Sequence, residues 1–250
     1  MLKLRNVSVS FGGVKALENV TFDVLQNKIT ALIGPNGAGK TTLFNSITGF
    51  IENFSGDIFY EENRLNGKKP FEIFRCGISR TFQNLNLINE LTLRENLFLG
   101  VIGKEKPSIL KSFFRLNRKY WKRVEEKIDE ALEITNIKKW KDARPNSVPY
   151  GVLKNLEVAR AIVSNPKLIL LDEPAAGLNM AEKEKLLDLI KLLSDRGNTI
   201  FLVEHDMNFV SNLSDYVVCL NFGEVIAQGT FREIRNNKDV IKAYLGGENA

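Results

Sequence analysis

Cysteine occurs only twice in the 250 residues, at Cys76 and Cys219, and histidine only once, at His205. The two cysteines have neither metal-ligand spacing nor the density of a disulfide scaffold, a usage that suits a reducing cytoplasm. No apolar run approaches the ~20 residues needed to cross a bilayer, so the chain reads as soluble and any membrane role calls for partners. The opening "MLKLRNVSVSF" alternates polar and apolar residues without an apolar core, and reads as a first strand rather than a signal peptide. Internal repeats, low-complexity linkers and sustained heptads are missing as well. So is the N-K-x-D motif of guanine recognition, which argues against a GTPase.

What is present is ordinary globular composition, 44% hydrophobic and 26% charged, enough for one large domain or a core plus a smaller lobe. The net charge is +5, and its distribution matters more than its sum. Residues 103–123 hold eight Lys or Arg against the single acid Glu105 and carry +7, leaving the rest of the chain at −2. In this stretch cations alternate with Leu110, Phe113, Phe114 and Trp121. Two readings stand: a bilayer-facing segment gaining ~1 kcal/mol per Lys or Arg near anionic lipid, or a solvated helix with its aromatics tucked into a lobe.

Along the chain, "KLRNVSVSF", "VTFDV" and "ITALI" read as strands, and "KTTLFNSITG" as a helix ending at glycine. Residues 56–60 and 78–82 read as further strands. From about residue 92 to 164 the pattern turns helical, notably "YWKRVEEKIDEALEI". "KLILLDE" and "NTIFLVEH" then return as buried strands separated by the helix "NMAEKEKLLDLIKLLSDRG", as a parallel crossover requires. "DYVVCLNFGEVIAQGT" has the look of a hairpin turning at Gly223, followed by two short helices. The expected fold is α/β, a core with a mostly parallel sheet, an antiparallel β subdomain and an inserted helical subdomain. Its expected boundaries are 1–88 and 165–250 for the core and about 89–164 for the helical part.

"GPNGAGKT" matches G-x-x-x-x-G-K-[ST] between a strand and a helix. Glycines let successive backbone N–H groups converge on phosphate, the helix N-terminus adds partial positive charge, Lys40 reaches the β- and γ-phosphates, and Thr41 offers a hydroxyl to Mg²⁺. Gly34, Pro35, Asn36, Gly37, Ala38, Gly39, Lys40, Thr41 and Thr42 are thus the expected ATP cradle. The glycine spacing excludes a dinucleotide fingerprint. "LILLDEP" puts Asp172 and Glu173 together at a strand end, where two carboxylates are costly unless a cation neutralises them. Asp172 is expected to hold the metal and Glu173 to act as general base on the attacking water. His205 ends another strand, where a γ-phosphate contact is expected.

In order and spacing these residues resemble the ATP-binding subunits of ABC transporters over essentially the full length. The resemblance implies that Phe11 stacks on adenine and that Gln83 in "RTFQN" senses Mg²⁺ and the membrane subunit. It also implies that "AAGLN" (residues 175–179) touches the opposite subunit and that His205 is the switch histidine. "EPAAGLN", "VEHDM", "DVIKAYLGG" and the helical insertion look most like the larger ATPase of branched-chain amino acid importers. ATPases of lipopolysaccharide-export and urea systems are the nearest alternatives. Such a subunit works with a paralogous ATPase, or with itself head to tail, two transmembrane permeases and an extracytoplasmic solute-binding protein, on the inner face of the cell membrane. A soluble ATPase acting on nucleic acid is the rival class; the 64 residues between Gln83 and Val148, with no heptads, are too few for a long coiled-coil insertion, and no nucleic acid is expected.

One stretch departs from the pattern. Where the superfamily resembles Leu-Ser-Gly-Gly-Gln, a signature that clasps the partner's ATP, this chain has Val148, Pro149, Tyr150, Gly151 and Val152. Gly151 and the following helix start keep backbone donors for phosphate. Because each signature completes the other subunit's site, the expectation is an asymmetric heterodimer in which this chain's own P-loop, Glu173 and His205 form the stronger centre.

Overall fold

The computed structural model describes residues 1–83, 85–104 and 118–245. Most of the basic stretch 103–123, and with it the bilayer reading, lies outside them. Two sheets carry the architecture. β1 (Leu2–Phe11), β2 (Val14–Val24), β4 (Ser55–Tyr60) and β5 (Asn63–Arg64) form an antiparallel sheet in the order β2-β1-β4-β5. The second sheet contains β3 (Ile29–Ile33), β6 (Ile78–Arg80), β7 (Leu168–Asp172), β8 (Thr199–Val203), β9 (Tyr216–Asn221) and β10 (Glu224–Gly229), in the order β10-β9-β3-β8-β7-β6. It is parallel throughout except for the β9–β10 hairpin.

β3, β7 and β8 are buried at every position, as a parallel sheet covered on both faces requires. Alternate residues sort to opposite cores: Leu168, Leu170, Phe201 and Val203 pack toward the antiparallel sheet and α1 (Lys40–Ile47). Ile169, Leu171, Ile200 and Leu202 pack toward α6 (Met180–Asp195) and α7 (Met207–Leu213), reached after α2 (Pro70–Arg75), α3 (Leu93–Gly103), α4 (Arg118–Ile134) and α5 (Tyr150–Ile162) along the chain. α8 (Phe231–Arg235) and α9 (Lys238–Leu245) close the same face. A third cluster, built from α3, α4 and α5, gives the helical segment its own core around Leu97, Leu132 and Leu156.

The structure differs from the sequence reading in several places: β5 is unforeseen, and β6 stops at Arg80 rather than residue 82, where the Arg80 and Thr81 side chains turn to Asp172. β2 begins at Val14, well before "VTFDV", because it pairs with β1 almost from end to end across the Gly12–Gly13 turn, register slips absorbing the mismatch. The unforeseen α2 is six residues long, with Pro70 at its first turn and Glu72 accepting from the Lys69 N–H. So short a segment has too few apolar repeats to register as helical in sequence.

The connection of the two sheets runs through Phe201. Its ring is fully buried, 5.8 Å from Phe22 of the antiparallel sheet and 5.1 Å from Phe44 of α1. Phe201→Ala is expected to destabilise the chain by about 3–5 kcal/mol through cavity formation, read as a lower urea midpoint at unchanged slope.

Candidate nucleotide site

The glycine-rich loop joins the carboxyl end of β3 to α1, and two of its glycines are sterically required. A Cβ on Gly34 would lie 2.1 Å from the Leu220 carbonyl oxygen, and one on Gly39 2.5 Å from that of Ala16, both at positive φ. Close packing against β9 and β2 thus leaves no room for a side chain at either position. α1 starts at Lys40 with no side chain capping it and no acidic residue in its first turn, which leaves its N-terminal donors and dipole available to an anion. Ala16, residues 36–42 and Glu173 line a cavity of about 210 Å³.

Lys40 is buried and folds back over its own loop, donating to the Gly34 and Pro35 carbonyls at 2.7 and 2.9 Å. Burial pushes its ammonium below the ordinary lysine value, against the opposing pull of Glu173, Cys219 and Asp172. The charge is held at the floor of the cavity, where a phosphate would satisfy it better than two neutral carbonyls do.

Asp172 and Glu173 stand where the sequence puts them, at the end of β7. Glu173 takes a positive φ of 47° and its N–H bonds to the Val203 carbonyl, an uncommon backbone state for a non-glycine residue that clusters at functional sites. Its Oε2 accepts from Gln83 Nε2 at 2.9 Å and lies 4.0 Å from His205 Nδ1. Three of the expected residues thus meet at one carboxylate oxygen. Thr41 and Thr42 line the adjoining cavity with Glu173.

The cation that relieves the carboxylate pair is one the sequence reading missed. Arg80, the last residue of β6, donates to Asp172 Oδ2 at 2.8 Å, and both side chains are less than a tenth exposed. Its other amino group donates to Asn45 Oδ1 and Thr48 Oγ1 of α1, and the guanidinium lies over the Phe44 and Phe82 rings. The next residue holds the backbone: Thr81 Oγ1 accepts from the Asp172 N–H at 3.1 Å. "RTFQN" therefore carries two grips on Asp172 ahead of Gln83. Its arginine gives no spacing signal, since the contact spans 92 residues.

Mg²⁺ fits this donor set without a protein cage. Arg80 occupies only Oδ2 of Asp172, and among the described residues no three His, Cys, Asp or Glu side chains cluster as a metal site. A hydroxyl and one carboxylate, completed by phosphate and water, is the kind of shell that Mg²⁺ accepts.

Other expected residues lie apart. Phe11 is about half exposed at the tip of the β1–β2 hairpin, paired with Val14, and does not line the cavity. Pro149, Gly151 and Val152 border a different cavity, of about 250 Å³, with Leu178 and Glu182. α5 begins at Tyr150 with Pro149 before it and no side-chain cap; the Val152 N–H bonds to the Pro149 carbonyl, which leaves those of Tyr150 and Gly151 open. The Tyr150 ring covers Gly177, where a Cβ would come within 3.0 Å of it. Val148 and Val152 pack against the helical core, which gives these apolar replacements a local reason.

α5 is also tied to the segment around Gln83. Glu157 is almost fully buried, accepts from the Phe82 N–H, and is pushed up to about 7 by burial, against Lys154, Arg160 and that hydrogen bond. Arg160 donates to the Asn86 carbonyl, and its own value is lowered by burial. The stretch "LEVARA" that holds both fits the family, but nothing in the sequence marked the pair for this contact, because charges on a helix read as a solvated face.

Residues 17–176 match the ABC transporter family, and residues 224–250 match the branched-chain amino acid ATP-binding cassette transporter family. The chain is 39% identical over 250 residues to the high-affinity branched-chain amino acid transport ATP-binding protein LivG of Salmonella typhimurium, covering 98% of each. It is 38% identical over 249 residues to the corresponding protein BraF of Pseudomonas aeruginosa, again with 98% of each covered. A solved ADP conformation of an ATP-binding cassette of an ABC transporter superposes with a TM-score of 0.86 at 31% identity over 98% of both chains. A dimeric bacterial ABC transporter cassette superposes at 0.77 and 28%, covering 93% of this chain and 99% of that one.

Two outcomes follow from the buried charges. Arg80→Met leaves Asp172 without its cation and is expected to cost about 3–5 kcal/mol; adding Asp172→Asn should cost less than the two single changes summed, in a urea-denaturation cycle. For Glu157 the folded value lies above the ordinary 4.5. Its contribution is therefore fully present below about pH 4.5 and lost as the pH rises through about 7. Thermal melts at about pH 5 and 8 should show a smaller loss for Glu157→Gln than for the wild type.

Proposed function

Because the chain belongs to the ABC transporter family, we propose that it is the ATP-hydrolysing subunit powering an importer for branched-chain or related amino acids. The observation that carries the substrate class is the family match of the last 27 residues, 224–250, together with full-length similarity to LivG and BraF. That match favours the amino acid reading over lipopolysaccharide export, urea uptake or work on nucleic acid.

In this reading the residues divide the chemistry as follows. The loop of residues 34–42 and the start of α1 hold the phosphates through free backbone N–H groups, and Lys40 exchanges its loop carbonyls for the β- and γ-oxygens. Phe11 stacks on adenine, a contact favoured by its exposure at the hairpin tip. Thr41, Gln83 and Asp172 hold Mg²⁺, which when bound supplies positive charge against the developing charge on the transferred phosphoryl group. Glu173 takes the proton of the attacking water, Gln83 steadies its Oε2, and His205 reaches the γ-phosphate from the other side. The uncapped start of α5, shaped by Pro149 and Val152, offers the backbone N–H groups of Tyr150 and Gly151 to ATP on a partner.

Nothing among the described residues is a helix long and apolar enough to cross a membrane. We place the chain in the cytoplasm, peripheral on the inner membrane face. Its partners there are two permeases and a paralogous ATPase or second copy, and the solute-binding protein acts across the membrane. Residues 89–164 form the helical subdomain of this arrangement, supported by their separate core.

Glu173→Gln tests both the activity and the asymmetry. In the assembled transporter it is expected to lower ATP turnover about 10²- to 10⁴-fold and to abolish uptake of radiolabelled leucine. The same substitution in a paralogous partner should leave most of the turnover. Leucine uptake unaffected by Glu173→Gln would overturn the function, and equal losses from either subunit would overturn the asymmetry.

A further inference from the structure

Glu204 is fully buried, and no lysine, arginine or histidine forms an ion pair with it among the described residues. It follows β8 directly and precedes His205. Its two oxygens are used on different segments. Oε1 accepts from the Ala175 N–H at 2.8 Å, while Oε2 accepts from the N–H groups of His205 and Asp206 at 3.1 and 3.4 Å. Ala175 lies two residues beyond Glu173, in the turn whose backbone departs from β7 at positive φ. One carboxylate therefore bridges the turn that carries Glu173 and the turn that carries His205.

The cost of this placement argues for a purpose beyond packing. Burial raises the Glu204 carboxyl above its ordinary value, and three backbone donors with the nearby imidazole only partly offset it. A side chain serving one turn alone would need a single acceptor, and a neutral one would avoid most of the desolvation cost. Two oxygens on a planar group set the separation of two N–H donors, and that separation underlies the 4.0 Å between Glu173 Oε2 and His205 Nδ1. A second tie, Lys183 of α6 to Asp206 at 2.6 Å, holds the far side of the 205–206 turn; on the Glu173 side the backbone is tied by the Glu204 contact and the Val203 carbonyl, and the carboxylate by Gln83.

We propose that Glu204 is a positioning residue for ATP hydrolysis, holding the Glu173 turn and the His205 turn at one fixed separation. This rests on the ATPase reading above. Glu204→Gln keeps size and shape but has one acceptor oxygen, so its amide N–H₂ faces backbone donors at one of the two turns. Glu204→Asp keeps the charge and is too short to span both, which guards against a single variant that fails to fold.

The test is turnover and nucleotide affinity in the assembled transporter, with the imidazole NMR signal of the only histidine in the full chain as a local reporter. Expected for both variants are a fall in kcat of about 10-fold or more, the scale of outer-shell partners, a KM within about 2-fold, and a displaced or broadened His205 signal. Unchanged kcat in folded Glu204→Gln and Glu204→Asp overturns the proposal. So does a loss in which kcat, KM and melting temperature move together, the pattern of a merely structural residue. Wild-type transporter that fails to hydrolyse ATP would overturn the ATPase reading itself, and the proposal with it.

Discussion

The structure depends on negative charge held at the carboxyl ends of two adjacent parallel strands. β7 ends in Asp172 and is followed by Glu173, and β8 is followed by Glu204; Asp172 and Glu204 are buried, and Glu173 faces the cavity. Each carboxylate is compensated differently: Asp172 by a guanidinium, Glu173 by an amide and an exposed imidazole, Glu204 by backbone donors alone. Parallel α/β sheets place their ligands at this edge because strand ends open there between connections. The same opening makes charge tolerable.

The glycine-rich loop is prepared for an anion by the same logic of unsatisfied donors. Gly34 and Gly39 are set by contacts to β9 and β2 rather than by flexibility, and the helix behind the loop starts without a cap. Lys40 rests on carbonyls of its own loop, a modest interaction that charged phosphate oxygens readily outbid. Arg80 then joins that helix to Asp172 through Asn45 and Thr48. The loop and the carboxylates are in this way parts of one packed unit.

The helical segment connects to the same unit through buried polar contacts. Glu157 and Arg160 of α5 hold the backbone around Phe82 and Asn86, on either side of Gln83. Tyr150 at the start of α5 lies on Gly177, in the loop leading from Glu173 to the Asn179 cap of α6. A shift of α5 would therefore be felt both at Gln83 and in the loop after Glu173.

Local pattern was enough for much of this. The strand, loop and helix around residues 34–42, the buried runs of β3, β7 and β8, the hairpin at Gly223 and the acidic strand end are all written in contiguous residues, because hydrophobic period and glycine placement act over one or two turns of chain. The roles of Glu173 and His205 could be read from their strand ends and that of Gln83 from resemblance; their meeting at one carboxylate oxygen is a product of the parallel strand order. What only the tertiary structure decided was how the buried charges are compensated. Arg80 reaches Asp172 across 92 residues and Glu204 reaches Ala175 across 29; neither distance has a period to detect. An arginine at a strand end and a glutamate before a histidine look alike in sequence whether they face water or the interior. Only the packing of the sheet says which side of it they are on.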